Sequence, residues 1–202
     1  MEGCLFIVSA PSGAGKSSLI SELLVRDDRL KVSVSHTTRA MRPGEKEGVH
    51  YHFVSLAVFQ KLVEKGVFLE HARVFDHYYG TSEQALRDQL ATGQDVVVEI
   101  DWQGAAQIRQ CFPEAVSIFI LPPDIETLSK RLSSRNQDNA AIIRRRMADA
   151  RGEISHYSEY DYLVVNDDFQ QALDALWHIV MAQRFHLVRQ QQKHAGLLQA
   201  LL

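Results

Sequence analysis

An apolar run at residues 4–9 (CLFIVS) feeds directly into Ala10-Pro11-Ser12-Gly13-Ala14-Gly15-Lys16-Ser17, and a helix-period segment follows over 16–25. A strand, a glycine-rich turn and a helix in that order leave few architectures open. The glycines let backbone N–H groups curl inward around an oxyanion. The start of the helix adds the positive end of its dipole. Lys16 is suited to reach β- and γ-phosphates, the Ser17 hydroxyl to ligate Mg2+, and Ser18 supplies a second hydroxyl close by. The strict phosphate-loop pattern has glycine where Ala10 stands, and alanine suffices there if its φ is negative and no ligand approaches tightly. The competing reading is a plain Gly/Ser-rich turn. The intact Gly-Lys-Ser between a strand and a helix argues against it.

Three further apolar runs, 96–100 (VVVEI), 116–121 (VSIFIL) and 162–165 (YLVV), alternate with helix-period segments. That alternation predicts an α/β fold, a P-loop NTPase-type parallel sheet covered by helices on both faces. Residues 168–192 read as one long closing helix with Phe169, Leu173, Leu176, Ile179, Val180 and Phe185 on its apolar stripe. The run Val96-Val97-Val98-Glu99-Ile100-Asp101 ends in acids, as a Walker B strand does. Glu99 or Asp101 is suited to hold Mg2+ through water or to meet an acceptor. Two segments do not fit the core. Residues 36–93 mix short polar strands with two helices, and 124–160 are arginine-rich without strands, opening at Asp124 after Pro122-Pro123. The expected layout is a core of 1–35, 94–123 and 161–202, an acceptor-binding insertion at 36–93, and a helical lid at 124–160.

The 202 residues carry a net charge of −3, so nothing in the bulk charge suggests a nucleic-acid partner. No apolar run approaches the roughly 18 residues a membrane span needs. The start, Met-Glu-Gly-Cys, has no basic leader, and Cys4 and Cys111 are too few for a disulfide framework. A cytoplasmic protein is expected. Nine histidines include the pair His50 and His52, which lacks a third ligand for a metal site. Trp102 reads as a hinge or core aromatic rather than a stacking platform.

Between the phosphate loop and the acidic strand lie Ser35-His36-Thr37-Thr38-Arg39, Arg42-Pro43-Gly44-Glu45, Tyr51, Glu70 and Tyr79-Gly80-Thr81. Arg39 and Arg42, with a tyrosine nearby, make an anion clamp. A carboxylate beside short hydroxyl side chains suits guanine, whose N1–H and N2–H donors a carboxylate accepts together. Adenine would leave Glu70 unpaired in a buried site.

The chain resembles bacterial-type guanylate kinases. The resemblance is carried by SAPSGAGKSSL, VSVSHTTRAMRPGE, HARVFDHYYGTS, EIDWQGA, SIFILPP and YDYLVVNDD, in the family's order and over nearly the whole length. It implies transfer of the terminal phosphoryl group of ATP to GMP with Mg2+. It also implies that Arg39, Arg42, Tyr51 and Tyr79 hold the GMP phosphate, while Ser35, Glu70 and Thr81 read the guanine and Asp101 stands near the acceptor. Lys16 and Ser17 match the ATP-phosphate and Mg2+ positions, Arg135 and Arg146 match lid arginines that reach the phosphates on closure, and Asn166 matches a position near the adenine. Lys16, Arg39, Arg135 and Arg146 are the implied catalytic cations. Three positions depart from the family: Ala10 in the loop, Glu99 for the usual aspartate, and Asn136 where glycine usually follows the lid arginine. A kinase for another nucleotide, a non-catalytic guanylate-kinase-like interaction module and a GTPase are the rivals. The intact loop lysine disfavours the module, and no Asn-Lys-x-Asp motif supports a GTPase. The oligomeric state is open.

Overall fold

The computed structural model describes residues 2–74, 76–133 and 140–202, the side chains of 140–146 excepted. In chain order the elements are β1 (Leu5–Ser9), α1 (Lys16–Arg26), β2 (Leu30–Val32), β3 (His36–Thr37), β4 (His52–Phe53), α2 (Leu56–Glu64), β5 (Phe68–Val74), β6 (His77–Ser82) and α3 (Glu83–Ala91). They continue as β7 (Asp95–Glu99), α4 (Trp102–Cys111), β8 (Val116–Leu121), α5 (Ile125–Ser133), α6 (Ala140–Ile154), a 3-10 turn (Tyr157–Glu159), β9 (Tyr162–Val165), α7 (Phe169–Arg184), α8 (Leu187–Lys193) and α9 (Ala195–Leu201).

Five strands form a parallel sheet in the order β2-β7-β1-β8-β9. Its apolar runs are continuous because both faces are covered, and side chains alternate between the two with a period of two. Phe6, Val8, Val97, Ile118 and Ile120 point to the face covered by α1 and α7, where they meet Leu19, Leu23, Leu173, Leu176 and Val180. Leu5, Ile7, Val96 and Val98 point to the other face and pack on Leu86 and Leu90 of α3 and on Ala105 and Ile108 of α4. The chain leaves β1 toward β2 on one side and later crosses to β8 on the other. This switch of direction opens a crevice at the C-terminal end of β1, where open α/β sheets bind ligands.

Short polar residues open the helices. Ser55, Asp101, Asp124 and Asp168 each accept a hydrogen bond from the backbone N–H three residues on, at 3.3, 2.9, 2.6 and 2.8 Å. At the opposite end of the sheet from the crevice, Arg184 donates to both Asp27 and Asp95, and Asp95 also accepts from the Cys4 N–H at 2.7 Å. This buried trio ties α7 to the end of α1 and the first residues of β1 and β7.

A second sheet, β4-β3-β6-β5, comes from the 36–93 segment, with β5 and β6 as an antiparallel hairpin. Its register slips between Phe68 and Glu70, a bulge at Leu69. Bulges re-aim side chains, and here the half-buried Leu69 packs against the core while Glu70 turns into the crevice.

One expectation needs correction. The closing helix is broken: α7 stops at Arg184 and α8 and α9 follow as separate short helices. The apolar stripe is correspondingly shorter, since Phe169 is 40% and Phe185 68% exposed while Ala172 joins the core. Trp102 packs within the protein, its ring lying 3.7 Å from that of His156 and nearly parallel to it. Among the described residues, no helix is long and apolar enough to cross a membrane.

Candidate active site

The crevice at the end of β1 holds a cavity of about 260 Å3. One wall is the loop 10–18, whose Ala10, Pro11, Ser12, Gly13, Gly15, Lys16, Ser17 and Ser18 line it. The opposite wall brings Ser35, Arg42, Tyr51, Glu70 and Tyr79 from the second sheet, and Glu99, Ile100 and Asp101 close the floor.

The loop is shaped by two glycines in the left-handed region, Gly13 at φ 93° and Gly15 at φ 94°. Gly15 is also a steric requirement, because a Cβ there would lie 2.4 Å from the Asn166 amide nitrogen. That amide is buried and donates to the Ala14 carbonyl at 2.7 Å, so Asn166 braces the loop from behind. Ala10 is not among the residues with positive φ, which meets the backbone condition for alanine at that position.

Lys16 donates to the Ile100 carbonyl at 3.3 Å across the mouth of the sheet. Val8 pairs in register with Glu99, so β7 delivers that carboxylate beside the loop. The Ser17 hydroxyl donates to Glu99 at 2.9 Å. A hydroxyl and a carboxylate so joined offer the hard oxygen donors that Mg2+ selects. The extra methylene of glutamate over aspartate still lets the carboxylate reach Ser17.

On the opposite wall the hydroxyl of Thr81 donates to Glu70 at 2.6 Å, and Ser35 lies 3.2 Å from the Thr81 hydroxyl. Thr81 is fully buried behind Glu70 and does not itself line the cavity. Burial pushes the Glu70 carboxyl up to about 7, with the Asp101 charge adding to the rise and the Thr81 hydrogen bonds opposing it. Arg39 is held by Glu45 in a two-pronged pair at 2.7 and 3.1 Å and by the Ala40 carbonyl at 2.7 Å. Its guanidinium sits 5.5 Å from the Tyr51 ring centre. Burial first, then the Glu99 charge, raises the Tyr51 phenol to about 12, so it stays protonated and can donate. Asp101 is occupied as the N-cap of α4.

The sequence reading missed Glu153. This residue near the end of α6 lines the cavity and accepts from the Ser12 N–H at 3.1 Å. Burial raises its carboxyl to about 7, against the pull of the Ser12 N–H and Lys16. No local motif marks it, since its partner is 141 positions away in the chain. Arg135 and Asn136 lie outside the described residues, as does the side chain of Arg146.

A sequence model described as guanylate kinase matches residues 2–183. Over the full chain it is 60% identical to the guanylate kinase of Chromohalobacter salexigens, covering 94% of that protein. Over 99% of the chain it is 57% identical to that of Saccharophagus degradans, covering 98% of it. The crystal structure of guanylate kinase from Anaplasma phagocytophilum superposes with a TM-score of 0.79 at 35% identity, covering 93% of this chain and 89% of that one. With a phosphate loop facing a buried carboxylate across one cavity, and with these relatives, the chain belongs to the guanylate kinase family.

Proposed function

We propose that the chain transfers the γ-phosphoryl group of ATP to GMP, and to dGMP, in the purine nucleotide metabolism of the cytoplasm. One observation carries the choice of acceptor: a buried Glu70, fixed through one oxygen by Thr81, lines the same cavity as the phosphate loop. The ionised carboxylate is an acceptor only, which fits the N1–H and N2–H edge of guanine and not the edge of adenine. Ser35 shares this corner through Thr81 and supplies a hydroxyl to the base. Arg42, Tyr51 and Tyr79 line the cavity as donors for the GMP phosphate. Arg39 keeps further N–H groups beyond its pair with Glu45.

A phosphate acceptor is already anionic near neutral pH, so no general base is required. The obstacle is bringing two polyanions together in line, and positive charge and positioning overcome it. The loop N–H groups and Lys16 hold the β- and γ-phosphates. Ser17 would bind Mg2+ directly and Glu99 through water, and the bound ion supplies charge neutralisation at those phosphates. Residues 36–93 act as the acceptor-binding part. The 124–160 segment acts as a lid that excludes water on closure, with Arg135 and Arg146 as its phosphate-directed cations.

The test is ADP release with GMP, dGMP, AMP, UMP, dTMP and CMP as acceptors, with and without a chelator. GMP is expected to be fastest, chelation to stop turnover, and Lys16→Ala to lower it by orders of magnitude with an unchanged circular dichroism spectrum. Faster turnover with AMP or a pyrimidine nucleotide would overturn the reading.

A further inference from the structure

Gly104 is the third residue of α4, and its N–H is capped by Asp101 at 2.9 Å. It is not among the glycines with positive φ, so its backbone conformation is open to any residue. Glycine inside a helix is less favourable than alanine, and the backbone gives no reason for it here. The reason lies across the helix. A Cβ on Gly104 would stand 2.6 Å from Glu70 Oε2, 3.1 Å from Glu70 Cδ and 3.4 Å from Ile100 Cβ.

Neither side has room to give freely. α4 is fixed by Ala105 and Ile108, both wholly buried in the core. Glu70 is 3% exposed, with its other oxygen held by Thr81 at 2.6 Å. The softest element at this contact is the free end of the Glu70 side chain. A methyl group at position 104 would therefore move the carboxylate rather than the helix.

We propose that Gly104 is a specificity-determining position: its missing side chain sets where the Glu70 carboxylate stands, and so which purine edge the acceptor site reads. The inference rests on the proposed reading of Glu70 as the group that accepts from guanine. Gly104 acts through Glu70 and touches no substrate, so it is a positioning residue. The geometry requires that its effect vanish when the carboxylate is absent.

The experiment compares wild type, Gly104→Ala, Glu70→Ala and the double variant in the full chain. It measures KM for GMP, KM for ATP, kcat, the preference for GMP over IMP (which lacks the 2-amino group) and the melting temperature. Gly104→Ala is expected to raise KM for GMP by about tenfold to a hundredfold, the loss expected when hydrogen bonds to a charged group are misplaced. The GMP-over-IMP preference should fall with it, while KM for ATP stays within about twofold. In the Glu70→Ala background the same substitution should change KM for GMP by less than about twofold, since it then has nothing to strike. The double variant also serves as the fold control. Equal losses from Gly104→Ala in both backgrounds, a parallel rise in KM for ATP, or no change in KM for GMP would each overturn the inference. A wild-type KM for GMP in Glu70→Ala would instead overturn the reading of Glu70 itself.

Discussion

Acidification should weaken GMP binding through Glu70 before it touches the fold. Burial holds this carboxyl near 7 instead of its ordinary 4.5. Thr81 donates to Oε1, so a proton on the carboxyl goes to Oε2, where it meets the guanine N–H donors head-on. Only the ionised form then binds guanine well. With a pKa of about 7, roughly nine-tenths of the sites are ionised at about pH 8 and one-tenth at about pH 6, a loss of about tenfold in affinity, or about 1.4 kcal/mol. Titration calorimetry of GMP across this range measures it. Glu70→Gln serves as the reference, because it removes the proton at Glu70 while leaving the titration of the GMP phosphate. Wild type should lose about tenfold more than the variant between these limits, and binding near pH 7 should release about half a proton from Glu70. Stability runs the other way. The folded carboxyl binds its proton more tightly than the unfolded one, so this group's contribution to stability falls as pH rises from about 4.5 to about 7. If GMP affinity has the same pH profile in wild type and Glu70→Gln, the argument fails.

Two predictions concern the scaffold. Arg184 bridges Asp27 and Asp95 with side-chain exposures of 11, 7 and 7%. Arg184→Leu leaves the buried Asp95 without its cation and Asp27 with only Arg29 at 3.9 Å, and should cost about 3–5 kcal/mol in urea unfolding, whereas an unchanged midpoint would contradict it. Gly15→Ala combines a left-handed backbone with a Cβ 2.4 Å from Asn166. It should cost roughly 1–3 kcal/mol of stability and raise KM for ATP while leaving KM for GMP near wild type.

The parts of the fold legible in the sequence are those encoded locally. The phosphate loop is written in consecutive residues, and the helices over 125–133 and 169–184 follow Asp caps whose partners are three residues away. β2 escaped notice because it has three residues and follows the polar run Asp27-Asp28-Arg29. The break after Arg184 escaped notice because the apolar period continues past it. α7 has by then run the length of the sheet, and with no further surface to cover, Phe185 and Leu187 are 68% and 67% exposed. In the site, Glu70 and Ser35 are recognisable by residue type. The buried brace from Asn166 to Ala14, 152 positions apart, and the approach of Gly104 to Glu70 are tertiary and carry no local mark.

The charge lining the cavity points to a last consequence. Among the described residues lining the cavity, Lys16 and Arg42 face Glu70, Glu99, Asp101 and Glu153, so there carboxylates outnumber cations. In the proposed reading Glu99 serves as a cation ligand and Glu70 as a base reader, and Asp101 caps a helix. Glu153 has none of these. It accepts from Ser12 in the phosphate loop, near Lys16, where an incoming triphosphate would face it. A unit charge about 10 Å from one phosphate charge at an effective dielectric near 20 is worth roughly 1.7 kcal/mol, or more than about tenfold in affinity. Glu153→Gln removes that charge and keeps an amide oxygen to accept from Ser12. It should therefore bind ATP several times more tightly at about pH 8, where the wild-type carboxyl is ionised. The gain should shrink below about pH 6, where the wild-type group is itself neutral, and adenosine, which has no phosphate to repel, should not discriminate between the two proteins. Equal or weaker ATP binding by Glu153→Gln would mean that this carboxylate supports the loop for nucleotide instead of repelling it.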